Sequence, residues 1–299
     1  MKNVIGLVGL AGLAASATAQ PPVETELKYE VRIFNAGNNT GWGSSVNANP
    51  GDQIEVRAVV SYTGTANLFG LGQIIFQPTV KNWGAGDSLV TSGVGPGSIG
   101  PVGSNISTPP GYVADAPGVY GRLTPWAATN YTTSNYIRGH VHNNPDGSGA
   151  TYLRIARADV TNWFGAGATS GAGAVNNVNG QGGVTIGQGT IGANRPTTQP
   201  PQNNSLTNIV VFKFGFILGA GDTRPDLIVS TPANGFGRST SSATWGQADT
   251  RWYNTADATA PGAYRSGESV VDATIHVVPT PASLALMGLG GLMVARRRR

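Results

Sequence analysis

The stretch TELKYEVRIF, from Thr25 to Phe34, decides the fold class, because apolar and polar residues alternate along nearly all of it. This period-two pattern is typical of a strand that buries one face and exposes the other. A second stretch, PGDQIEVRAVVSYTG, begins with a turn at Pro50-Gly51-Asp52 and then alternates from Ile54 to Val60. Two amphipathic strands therefore open the folded part of the chain.

Further apolar stretches of strand length recur along the chain: Gly70 to Gln77, Tyr152 to Ala158, Ile209 to Leu218, Asp226 to Ser230 and Val270 to Val278. Long segments rich in Gly, Pro, Asn and Thr separate them: Gly84 to Gly121, Gly165 to Asn204 and Thr231 to Gly267. With 44 Gly, 19 Pro and 11% charged residues, the composition favours short strands over helices, and the best short helical candidate is Ala156 to Phe164. The sequence predicts one large all-β, antiparallel β-sandwich, jelly-roll-like, with long loops and a short apolar helix at each terminus.

Residues 1–19 have the three parts of a secretory signal peptide. Lys2 supplies the positive charge, an apolar run extends from Val4 to Ala15, and Ala17-Thr18-Ala19 has the small-x-small form of a cleavage site. The apolar run is shorter than the ~20 residues that span a bilayer. We expect signal peptidase to cleave after Ala19, so that the mature chain begins at Gln20.

The segment VPTPASLALMGLGGLMVARRRR, residues 278–299, combines a proline motif, an apolar stretch and a basic end. Each proline fixes φ and lacks an N–H, so the motif resists joining the helix that follows. Ala282 to Ala295 carries no charge and as a helix would cover about 21 Å of a ~30 Å hydrocarbon core. Guanidinium groups remain on the cytoplasmic side of a membrane, and four end this chain: Arg296, Arg297, Arg298 and Arg299. The pattern predicts a transient anchor that is processed at the membrane edge.

This order of proline motif, apolar helix and arginine run resembles the PEP-CTERM sorting signal, with Thr280 standing where that family has Glu. The resemblance is confined to residues 278–299. It implies recognition of the motif Val278, Pro279, Thr280 and Pro281 by exosortase, a membrane enzyme of Gram-negative bacteria that make extracellular polysaccharide. The alternatives are a plain tail anchor, which leaves the paired prolines unexplained, and a hydrophobic C-terminal strand, which leaves the four arginines unexplained.

The segments PGDQIEVRAVVSYTG, FGLGQIIFQPTV, NIVVFKFGFIL and DATIHVV resemble, in their order, the strand pattern of cohesins and related carbohydrate-active β-sandwich modules. This resemblance implies a fold and no function. We therefore divide the chain into a signal peptide at residues 1–19, a β-sandwich body at 20–277 and a sorting tail at 278–299.

The distribution of charge removes the case for a nucleic-acid partner. The formal net charge is +4, but Lys2 and the four terminal arginines account for the excess, and the body is close to neutral. The chain has no Cys, which excludes disulfides and thiolate metal sites but does not exclude export.

We expect no metal centre and no cofactor, although two features supply suitable side chains. On a strand, His140 and His142 would project from one face and could share an ion with Asp146 or His276; the alternative is two polar side chains on a solvent face. The turn from Asn143 to Gly149 offers oxygen ligands for Ca²⁺, but without the alternating carboxylates of a dedicated loop we interpret it as a plain Pro-Asp-Gly turn.

The sequence predicts a protein without enzyme activity. Carboxylates for a hydrolase occur in loops and at strand ends, but their spacing places no two of them together: Asp87, Asp115, Asp222, Asp226, Asp249 and Asp257. No G-x-S-x-G is present, and Gly103-Ser104 lies in a Gly/Pro loop. No catalytic residue is therefore assigned.

Aromatic residues in or beside loops suggest a second function class. Such residues can stack on sugar rings or anchor the core, and they include Trp83, Trp126, Trp245, Trp252, Tyr112, Tyr120, Tyr131 and Tyr253. The sequence thus predicts an exported cell-surface or extracellular-matrix protein with signal peptidase and an exosortase-like enzyme as partners. The alternative is a glycan-binding module for exopolysaccharide, with Trp126 and Trp252 as contacts, and a secreted hydrolase ranks last.

Overall fold

A computed structural model describes residues 23–35, 38–68, 70–90, 99–100, 116–123, 137–157, 184–187, 203–220, 224–232, 250–253, 263–265 and 267–278. The predicted signal peptide, the tail from Pro279 to Arg299, and the helix predicted at each terminus lie outside these residues. The described part of the chain contains no helix long and apolar enough to span a membrane.

All regular structure in the described residues is β-strand. In chain order the strands are β1 (Val23–Asn35), β2 (Asn38–Asn39), β3 (Ser45–Ala48), β4 (Gln53–Leu68), β5 (Gly70–Phe76), β6 (Thr79–Lys81), β7 (Ser88–Leu89), β8 (Ile99–Gly100), β9 (Gly121–Arg122), β10 (Ile137–Asn143), β11 (Thr151–Arg157), β12 (Val184–Gly187), β13 (Asn203–Ile217), β14 (Leu227–Ser230), β15 (Arg251–Tyr253), β16 (Ala263–Arg265), β17 (Gly267–Val271) and β18 (Ala273–Val277).

The first sheet is built on the two strands that the sequence shows most clearly. β1 and β4 pair antiparallel from Val23 opposite Gly64 to Ile33 opposite Ile54. The sheet has the order β17-β1-β4-β13-β7, with β2 beside β1 and β9 beside β13. Because successive side chains point to opposite faces, the apolar positions of β1 and β4 line one face and the charged positions line the other.

The second sheet has the order β3-β18-β14-β6-β11-β10-β8, and a smaller third sheet has the order β12-β5-β15-β16. One core of buried side chains joins the sheets. It receives Tyr29 and Phe214 from the first sheet, Leu153 and Ile275 from the second, and Trp252 from the third. The predicted all-β sandwich is confirmed.

Three details of the predicted architecture are corrected. The sheets are mostly antiparallel, but β1–β17, β3–β18 and β8–β10 pair in parallel. The expected single strand from Val270 to Val278 is interrupted at Asp272, so that β17 joins the first sheet and β18 the second. At the proposed short helix, Ala156 and Arg157 belong to β11, and the rest lies outside the described residues.

The chain enters and leaves the sandwich at opposite ends. Val23, opposite Gly64, lies at one end of the β1–β4 ladder. We call this end of the sandwich the entry end. β1 runs from there to the other end, where Gly51 N donates to Leu218 O at 2.8 Å and Val278 N donates to Ala48 O at 2.8 Å. We call this second end the exit end, since the predicted tail begins there.

Candidate functional site

The last described residue, Val278, is fixed to the body by its backbone. Val277 pairs with Ala48 in the parallel β3–β18 ladder, and the hydrogen bond from Val278 N to Ala48 O extends this pairing by one step. Pro279, the first proline of the predicted sorting motif, follows directly in the sequence. The strand structure and the proline motif therefore meet without an intervening linker.

Polar side chains lie beside the last residues of β18. His276 Nδ1 lies 2.7 Å from Asp226 Oδ2, and both side chains are nearly half exposed, at 46% and 49%. Asn82 Nδ2 donates to the Asp226 carbonyl at 2.7 Å, and Asn47, opposite His276 in the ladder, is exposed. We call Asn47, Asn49, Gly51, Asp226 and His276 the exit rim.

A second polar cluster stabilises the loops at the same end. Asp87 is buried and accepts hydrogen bonds from Gly84 N at 2.8 Å, Gly219 N at 2.7 Å and Arg224 Nη1 at 2.7 Å. The Asp87 carboxylate thus joins the loop after β6 to the loop after β13, and its role is structural. Asp87 and Asp226, the two predicted carboxylates within the described residues, are each engaged with a basic partner. Asp115, Asp222, Asp249 and Asp257 lie outside the described residues.

The outer face of the first sheet carries a ladder of ion pairs. Arg32 pairs with the buried Glu55, while Arg57 and Lys28 both pair with Glu30. Burial by itself would raise the pKa of Glu30, but hydrogen bonds and charge from Lys28 and Arg57 outweigh it, so that the pKa is lowered. The ladder therefore holds both arginine side chains in defined positions.

Trp42 extends over this ladder and was missed by the sequence analysis. The guanidinium carbons of Arg32 and Arg57 lie 4.4 and 4.6 Å from its ring centroid, within cation–π range. The segment is folded back along β1 by paired backbone bonds between Val31 and Gly43. Trp42 is only partly buried, so it is an aromatic group at the surface of the sandwich. The Gly-Trp-Gly context was the available signal.

Part of the same outer face is covered by residues 116–123. Tyr120 OH donates to Glu55 Oε1 at 3.1 Å and Gly118 N donates to the same oxygen at 2.8 Å. Lys213 Nζ donates to Ala116 O at 2.7 Å. Desolvation, followed by the nearby Glu55 charge, raises the pKa of Tyr120 well above its ordinary value. Tyr120, one of the predicted loop aromatics, is therefore a packing residue.

The glycan contact predicted for Trp252 is contradicted by its position. Its side chain is fully buried, its ring centroid lies 5.0 Å from that of Tyr62, and Nε1 donates to Thr25 Oγ1 at 2.8 Å. Trp83 is also buried, and its ring centroid lies 5.3 Å from that of Phe216. Both tryptophans anchor the core, while Trp126 and Trp245 lie outside the described residues.

His140 and His142 do lie on β10 and share one face, with ring centroids 6.4 Å apart. Burial, followed by the charge of Arg154, lowers the pKa of His142 to about 4. His276 instead contacts Asp226 at the exit end. Within the described ranges no group of three or more His, Cys, Asp or Glu residues could hold a metal ion.

The Asn143–Gly149 segment is a self-contained turn between β10 and β11. Asp146 accepts from Ser148 N at 3.1 Å, from Ser148 Oγ at 2.7 Å and from Tyr152 OH at 2.7 Å. The hydrogen bonds of Tyr152 and Ser148 lower the pKa of Asp146 to about 2. The carboxylate oxygens thus stabilise the turn itself.

Comparison with known proteins gives no family assignment. No protein-family model matches the chain, and no curated protein sequence matches it. A chain from the crystal structure of the CaDoc0917–CaCohA2 complex is 9% identical, with 86% of this chain and 99% of that chain covered and a TM-score of 0.33. The seventh ScaB type I cohesin from Pseudobacteroides cellulosolvens is 10% identical, with 87% and 94% covered and a TM-score of 0.33. Likeness at this level indicates no function.

Proposed function

We propose that the protein is an exported cell-surface or extracellular-matrix β-sandwich without enzyme activity, whose C-terminal tail is recognised and processed at the membrane. One observation carries the proposal: the strands of the described body fall between Val23 and Val277. The predicted processing points, Gln20 and the vicinity of Pro281, lie just outside these limits. Processing at both would leave every described strand intact.

The position of Val278 supports a processed signal. Val278 is hydrogen-bonded to the body, so the proline motif begins at the surface of the sandwich. The two prolines cannot donate backbone hydrogen bonds to a strand partner, and the ladder cannot continue regularly through them. An enzyme that grips extended chain would find its substrate there.

Intact-mass and terminal-peptide measurements on the protein from its host test this function. We expect a mature form that starts at Gln20 and ends near Pro281. A Pro279→Ala/Pro281→Ala variant should keep the tail and remain with the membrane fraction, because the extended motif is lost. Native protein that retains Arg299 in a soluble fraction would contradict the proposal.

Trp42 favours glycan binding as a second function. An indole ring at the surface can stack on the C–H face of a sugar. Arg57 beside the ring, and Glu30 in its ion pair, supply donors and acceptors for hydroxyl groups. The ion-pair ladder fixes these side chains in advance, which lowers the entropic cost of binding. This site replaces the one expected at Trp252.

Binding to exopolysaccharide from the host tests the second function. Trp42→Ala should reduce affinity about tenfold or more, the scale of an aromatic anchor lost from a binding site. Trp42→Phe is the matched control and should retain part of the affinity, since it keeps an aromatic face. Equal binding by the wild type and Trp42→Ala would remove Trp42 from consideration.

A further inference from the structure

The shortness of the connection between body and motif restricts where a processing enzyme can act. Val278 is held by Ala48, and only Pro279, Thr280 and Pro281 separate it from the proposed processing point. An extended chain spans at most ~3.6 Å per residue, so three residues reach about 11 Å. The reacting atoms of the enzyme must come within about that distance of Val278.

An enzyme that approaches so closely must touch the body. We propose that the exit rim is the docking surface for the membrane enzyme that processes the tail, an inference that rests on the proposed function. The rim is exposed: Asn47 and Asn49 present amide side chains, Gly51 presents backbone, and His276, two residues before Val278, forms an exposed pair with Asp226. The body thereby becomes part of the substrate, and the tail sequence alone does not determine the rate of processing.

The contrary possibility is that the end of β18 detaches before the enzyme binds. Detachment would lengthen the accessible chain and remove the need for contact with the rim. A flexible spacer between Val278 and Pro279 distinguishes the two cases. Six Gly/Ser residues would extend the reach by up to about 20 Å, which is enough to move the enzyme away from the sandwich.

The experiment follows the rate of tail removal in the host by pulse-labelling. The rim variant Asn47→Trp/Asp226→Arg adds bulk and reverses a charge beside the exit. The matched control Ser269→Trp/Glu26→Arg makes the same changes at two exposed, paired positions toward the entry end. Each variant is also made with the six-residue spacer, and thermal unfolding of the purified proteins verifies that they are folded.

We expect the rim variant to be processed about three- to tenfold more slowly, as for a charge and shape mismatch at an interface edge. The control variant should lose its tail at the wild-type rate. The spacer should return the rim variant to the wild-type rate, a recovery that cannot occur if the substitutions unfold the body. If the rim variant without a spacer lost its tail at the wild-type rate, the docking proposal would be wrong but the proposed function would remain intact. A wild-type protein that keeps its tail would overturn both.

Discussion

Two tryptophans of this chain occupy opposite environments. Trp252 is completely enclosed, with its indole N–H bonded to Thr25, whereas Trp42 lies at the surface over two arginines. The neighbours in sequence differ, Arg251 and Tyr253 for Trp252 and two glycines for Trp42, but they do not show which ring is buried. What distinguishes them is the partner that the fold supplies: a core between sheets for Trp252 and a charged sheet face for Trp42.

The first prediction concerns these two residues. Trp252→Ala should lower the free energy of unfolding by about 3–5 kcal/mol, since it removes a large buried side chain and leaves a cavity. Trp42→Ala should cost less, about 1–2 kcal/mol, because mainly two cation–π contacts are lost at a partly exposed site. Urea unfolding followed by circular dichroism measures both. Equal losses of unfolding free energy would contradict the assignment of Trp252 to the core and Trp42 to the surface.

A second prediction concerns pH. The folded state lowers the pKa of His142 from 6.5 to about 4, so the neutral ring is favoured in the fold. Its contribution to stability is therefore complete above pH 6.5 and is lost as the pH falls toward 4. The pKa of Asp146, about 2, places its titration below this window.

His142→Gln should reduce the difference in unfolding free energy between pH 7 and pH 5, because Gln does not titrate. Chemical denaturation at both pH values provides the measurement, and Asp146→Asn serves as a control that should leave the difference unchanged. An unaltered pH dependence in His142→Gln would exclude His142 as its source.

At the scale of elements, alternation predicted strands well wherever one face is buried and the other charged. β1 and β4 were recognised from Leu27 to Ile33 and from Ile54 to Val60, because the polarity of most residues there indicates which face of the sheet the side chain lies on. The interruption at Asp272 was not recognised, since the alternation of apolar and polar residues continues through it from Val271 to Val277. Which sheet each half joins depends on β1, β3 and β14, partners that are remote in sequence.

The functional surfaces were predictable to different degrees. The sorting motif is local in sequence and could be described without a fold. The exit rim could not, because Asn47, Asp226 and His276 come together only through the pairing of β3, β14 and β18. Trp42 was overlooked for the same reason: its ring reaches Arg57, on a strand that is not adjacent to its own segment.

A third prediction tests the contact between β13 and the covering segment 116–123. A Cβ at Gly215 would lie 2.5 Å from the Tyr120 ring, so Gly215→Ala must displace that ring from Glu55. We expect a loss of about 1–3 kcal/mol in unfolding free energy, typical of overpacking. Gly41→Ala, where no atom lies within 4 Å, is the control and should change stability little. Comparable effects at both positions would contradict the packing.

For the whole molecule, the described strands predict that the processed form is self-sufficient. A chain limited to residues 20–281 contains β1 to β18 and should unfold cooperatively at the same temperature as a longer chain that keeps the tail. Thermal unfolding by circular dichroism compares the two. A markedly lower midpoint for the shorter chain would mean that the terminal segments contribute to the fold.

The opposite placement of entry and exit gives the sandwich a mechanical property. β1, at the N-terminal side, and β17, near the C-terminal side, pair in parallel from Glu24 opposite Gly267 to Lys28 opposite Val271. Tension applied between Val23 and Val271, the outer ends of the two strands, would load their hydrogen bonds together in shear, so the bonds would have to break at the same time. The N-terminal and C-terminal parts of the body would therefore resist being pulled apart along the strand direction.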